Sequence, residues 1–77
     1  MMAGEFEEEV NDLGKFDLPY GREVRMEEIV YEGGMTLLRL RFREGKRHTV
    51  IELDGPSAAN WADVLGPWAE KNMPPNE

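Results

Sequence analysis

The chain has 77 residues, a net charge of -7 and no cysteine. This is a single domain near the lower size limit for a self-sufficient core, with neither a disulfide nor a thiolate metal site to staple it. The acidic balance repels nucleic acid overall. The start, MMAGEFEEEV, is unlike a signal peptide, and no apolar run approaches the ~20 residues of a membrane span, so a cytoplasmic protein is expected.

Charge is spread unevenly. Residues 1–17 carry -5, residues 18–53 carry +1 and residues 54–77 carry -3. In the acidic first segment, Phe6, Val10 and Leu13 fall at i, i+4 and i+7, the spacing of one helix face. Glu7, Glu8 and Glu9 sit where a helix dipole favours acids, and Gly14 suits a helix stop. A helix this short is marginal without docking. Residues 1–17 therefore read as a short helix or as a disordered acidic tail. The extreme ends, 1–5 and 74–77, are expected to fray.

Residues 18–73 read as one ββ-β-α domain. DLPYG is a turn, punctuated by proline and glycine. A first strand starts at Arg22, with Val24 and Met26 on one face. A change of phase at Ile29 and Val30 predicts a β-bulge near Glu27–Glu28. Gly33-Gly34 suits a two-residue hairpin turn. The second strand, Met35 to Arg43, alternates Leu38, Leu40 and Phe42 with Arg39, Arg41 and Arg43, the period of a two-faced strand. Gly45-Lys46 suits a type II′ turn, and the third strand is Arg47 to Leu53. These turns predict a register in which Phe42 faces Thr49, Leu40 faces Ile51 and Leu38 faces Leu53, with Met26 opposite Leu40 and Val24 opposite Phe42. They also place Tyr31 opposite Thr36 and Ile29 opposite Leu38.

In DGPSAANWADVLGPWAEKNM, Pro56 suits the first helical turn, with Asp54, Gly55 or Ser57 at the cap. Ala58, Trp61, Leu65 and Trp68 make an apolar stripe, beside Val64. Pro67 after Gly66 is expected to bend or split the helix. The two tryptophans are expected to cover the apolar sheet face. The fold class is thus α+β, a three-stranded antiparallel meander packed against a C-terminal helix.

The run YEGGMTLLRLRFREGKRHTVIELD followed by AANWADVLGPWA resembles a family of small uncharacterised bacterial proteins, a domain of unknown function, over residues about 22–70. The resemblance implies the same three-stranded sheet and C-terminal helix. It implies no activity and no functional residues.

The outer sheet face is the main candidate surface. The predicted register sets Arg39 between Glu28 and Glu52, Arg41 between Arg25 and Val50, and Arg43 between Glu23 and His48. Val30, Met35 and Leu37 add apolar area beside them. The plainest reading is a solvated face of cross-strand ion pairs. A second is a docking face for the acidic N-terminal helix, with Phe6, Val10 and Leu13 meeting Leu37 and Val30. A third is an interface made by Val30, Leu37, Arg39, Arg41, Arg43, His48 and Val50 with another protein or a second copy.

No catalytic residue is assigned. His48 is the lone histidine, and no nucleophile–base pair accompanies it. Glu7, Glu8, Glu9 and Asp12 lack the spacing of a calcium loop, so no metal or cofactor is expected. Trp61 and Trp68 could flank a ligand with Met26, but aromatics at helical spacing are more often core. Two functions remain: a non-enzymatic protein–protein interaction module using the arginine face or the sheet edges, and, as alternative, a nucleic-acid-associated regulator contacting phosphate through the same arginines. Phe42 and Tyr31 are both expected to point inward, leaving that face without a stacking platform.

Overall fold

Four extended runs, separated at each corner by glycine, pair in chain order. The computed structural model describes residues 8–74. The strands are β1 (Glu8–Leu18), β2 (Arg22–Tyr31), β3 (Thr36–Glu44) and β4 (Arg47–Leu53), and the helix α1 spans Gly55–Asn72. They form one antiparallel sheet in the order β1-β2-β3-β4. Of the ends expected to fray, 1–5 and 74–77, residues 1–5 and 75–77 lie outside the described residues, as does Phe6 of the expected helix.

The sheet has four strands, not three. The N-terminal segment is neither a helix nor a tail over its described part. It pairs with β2 from Glu8↔Tyr31 to Leu18↔Arg22. The pairing slips by one residue between Asp12 and Gly14. Gly14 has φ +133°, and its N–H donates to the Asp12 side chain at 3.1 Å. Gly14 is therefore a bulge residue, not a helix stop. The bulge changes the phase of β1, so Phe16 and Leu18 face the same side as Val24. A bulged strand and a short helix fit the same apolar spacing, and the free edge of β2 decides between them.

The β3–β4 register is as predicted, from Glu44↔Arg47 through Leu40↔Ile51 to Leu38↔Leu53. Met26↔Leu40 and Val24↔Phe42 also hold in β2–β3. The expected bulge near Glu27–Glu28 is absent from that pairing, because the additional residue sits in the turn. Tyr31 N–H donates to the Met35 carbonyl at 2.8 Å, and Gly34 N–H to the Tyr31 carbonyl at 3.0 Å. The loop is Glu32–Gly34, three residues long, with Gly33 at φ +97° and Gly34 at φ +95°. The register then runs unbroken, with Ile29 opposite Leu37 and Val30 opposite Thr36. Ile29 moves to the outer face and Val30 to the helix side, the reverse of expectation.

Two glycine substitutions separate turn strain from helix propensity. Gly33→Val places a branched residue at positive φ and should cost about 2 kcal/mol. Gly66 lies inside α1 with open space where a Cβ would stand. Gly66→Ala should therefore raise stability by roughly 0.5–1 kcal/mol. Urea melts of both variants test this assignment, and equal effects would contradict it.

The core lies on the helix side of the sheet. Val24, Leu40 and Leu53 are buried there, with Leu18, Met26, Leu38, Phe42 and Ala58 packed around them. Ile29, wholly buried, is the fourth buried hydrophobic among the described residues. It lies between Val10 and Leu37 on the other face.

Helix α1 starts as its sequence requires. Asp54 caps it, accepting from the Ser57 N–H at 2.9 Å, with Pro56 in the first turn. The Ser57 hydrogen bond holds the Asp54 carboxyl below its ordinary value. The helix passes through Gly66-Pro67 as one 18-residue element, so it is not split there. It does not cover the sheet. Ala58 meets the core, but no residue of α1 is buried, and Trp68 is 64 % exposed. The radius of gyration, 15.7 Å, exceeds the roughly 11 Å of a compact chain this long.

Candidate functional site

Alternation along β3 carries Arg39, Arg41 and Arg43 to the sheet face away from α1, as predicted. Each guanidinium there holds a carboxylate. Arg39 meets Glu52 at 2.9 Å, Arg41 meets Glu27 at 2.9 Å and Arg43 meets Glu23 at 3.1 Å. Arg25 meets Asp12 at 3.3 Å on β1, and Lys15 stands 3.7 Å from Glu23. On the helix side, Arg22 meets Glu44 at 2.9 Å.

The pairs alternate between directly opposed and diagonal partners. Arg39 and Arg43 face Glu52 and Glu23 across the ladder, whereas Arg41 faces Arg25 and Val50. Arg41 therefore reaches diagonally to Glu27, and Arg25 reaches diagonally to Asp12. This arrangement relieves the like-charge opposition of Arg25 and Arg41. The hydrogen bond from Arg43 is the main reason the Glu23 carboxyl lies below its ordinary value, and the same bond raises Arg43. Glu52 raises Arg39 in the same way. All these groups are near water, where such pairs are weak and screened by salt.

Several expected neighbours change. The residue beside Arg39 on β2 is Glu27, not Glu28. Glu28 is on the helix side, accepting from Asn11 Nδ2 at 3.0 Å. Tyr31, expected inward, sends its hydroxyl to Glu52 on the arginine face at 3.4 Å. His48 is opposite Arg43 and exposed. Leu37 and Val50 share the face with the arginines, while Val30 does not. The N-terminal segment meets this sheet at its edge rather than across its face.

A second surface brings together Trp61 and Met26, which the sequence offered as possible flanks of a ligand but which read more simply as core. Between α1 and the sheet runs an open trough of about 390 Å³. Its floor is Leu18, Met26, Leu40 and Phe42, and its wall is Ala58, Trp61 and Leu65. The residues lining it are all apolar. Trp61 is 42 % exposed, and Val64, Leu65 and Trp68 more so. The apolar spacing of α1 was visible in the sequence. The gap between that stripe and the sheet was not.

Residues 7–71 match a family of unknown function, DUF6967. The chain belongs to that family. DUF6967 membership covers all four strands and nearly all of α1, so the arginine face and the trough both fall inside the family's span. Neither the curated proteins nor the solved structures include a match. Among the described residues, no helix is long and apolar enough to cross a membrane.

Proposed function

We propose that this DUF6967 protein is a non-enzymatic association module, an accessory domain whose working surface is the trough between α1 and the helix-side sheet face. The observation that carries the reading is Trp61 and Leu65, exposed over an apolar floor, with the exposed Trp68 farther along the same helix stripe. Large exposed apolar patches mark interaction sites, and tryptophan is enriched among residues that dominate binding. The partner is a protein segment presenting an apolar helix stripe, the shape that fills such a trough. A chain without cysteine suits the reducing cytoplasm, where we place it.

The ion pairing of the arginines supports placing the binding surface elsewhere. Arg39, Arg41 and Arg43 each already hold a carboxylate, as a solvated ion-pair face does. Phosphate contact through them would have to break those pairs, so the nucleic-acid alternative ranks lower. The two outer strands β1 and β4 remain secondary protein-binding edges.

Tagged protein captured from its native cells tests the surface. Trp68→Glu should lose the bound protein, and the variant carrying Arg39→Gln, Arg41→Gln and Arg43→Gln should keep it. The reverse pattern would overturn the trough reading. Loss of bound RNA or DNA as salt rises, with no protein captured, would favour the phosphate alternative.

A further inference from the structure

We infer that the occupant of the trough is a second copy of this chain, the two associating about a two-fold axis with each α1 stripe on the sheet floor of the other. This rests on the association reading above and names its partner. An isologous interface needs both complementary halves on one surface, so that residue i meets j and j meets i. The trough has both. Its floor, around Met26 and Phe42, lacks a helix lying fully on it, and its wall, Trp61 and Leu65, continues along α1 into the exposed Trp68 with no sheet against it.

The amount of uncovered surface fits. With ~150–250 Å² per aromatic side chain, the two tryptophans leave on the order of 200 Å² open. Val64, Leu65 and Phe16 are each about half exposed or more and bring the patch toward the ~800 Å² per partner of a standard interface. The chain's own interior is also small, with four buried hydrophobics among the described residues. Obligate dimers look like a domain core cut in half, and the helix-side half-core here has that character.

Helix α1 needs such a partner. Pro67 has no N–H to return to the Asp63 carbonyl, and Gly66 precedes it. An isolated helix with that pair in its last two turns is marginal. No α1 residue is buried, and its second half carries Trp68 outward. Apolar contact there would hold it straight.

Charge sets the sign of the salt effect. At -7 per chain, two copies repel. Asp63 and Glu70 lie across α1 from Trp61, at 100° per residue, so the acids stay outside the contact. Screening should therefore tighten the dimer as salt rises, opposite to a phosphate-binding protein.

Sedimentation equilibrium on the full chain, from about 1 to 200 μM, reads the result directly. The expected mass is that of two chains at the upper end. Trp68→Glu should weaken association at least ~30-fold while circular dichroism stays unchanged, as for an interface hot spot. Val50→Pro is the control for pairing through the free β4 edge, where the Val50 N–H points away from β3. A dimer lost with Val50→Pro and kept with Trp68→Glu would overturn the trough geometry. So would a single-chain mass across the whole range. That monomer result leaves association with a different protein standing, because the capture experiment tests it separately.

A measurement on the unaltered chain guards against a variant that fails to fold. Trp61 and Trp68 are the two tryptophans of the sequence, one lining the trough and one on the same helix stripe, so intrinsic fluorescence reports on the proposed interface. Dilution through dissociation should shift emission to the red. Emission that stays constant while the mass halves would overturn the proposal.

Discussion

Leu40→Ala should lower the unfolding free energy by about 2–4 kcal/mol, as large-to-small core substitutions do. Leu40 is 3 % exposed at the centre of β3, with Met26 on one side and Ile51 on the other. It anchors the cluster with Val24 and Leu53. For a small domain, a loss of that size is a large fraction of total stability. Chemical denaturation of both proteins, with equal slopes, gives the difference directly. A change below about 0.5 kcal/mol, the level of an ordinary surface substitution, would show that the core is elsewhere.

The second large effect separates a strand from a tail. Removing residues 1–18 should abolish the cooperative fold. β1 pairs along the length of β2, and without it the β2 backbone becomes a free edge. Ile29 would lose Val10 beside it, and the core would lose Leu18. Fully burying one such side chain is worth ~1.5–3 kcal/mol, so two losses approach the stability of a small domain. Hydrogen exchange of the β2 amides is the readout. Protection equal to that of the full chain would restore the disordered-tail reading.

Local pattern and tertiary choice divide cleanly among the strands. The β3–β4 hairpin was readable because its information is local: strict alternation over Leu38, Leu40 and Phe42, and a two-residue turn at Gly45, φ +62°, that permits one register. The same alternation placed the three arginines on one face. Which carboxylate each would hold was not readable, since Arg41 and Arg25 take diagonal partners that depend on sheet geometry. Ile29 misled because an apolar residue on the outer face looks like a change of phase. The outer face has its own small apolar contact, Val10–Ile29–Leu37, which the polar-outside rule does not anticipate.

By itself, the amino-acid sequence determined the α+β class, the β3–β4 register, the arginine row and the capped C-terminal helix. Each depends on residues within one or two turns of chain. Only the tertiary structure decided that residues 8–18 pair as a bulged strand, and that α1 leaves its tryptophans beside an open sheet face. Those outcomes turn on what lies next to a segment. A stripe such as Trp61, Leu65 and Trp68 states that a helix must bury one face, but it does not name the surface that will cover it.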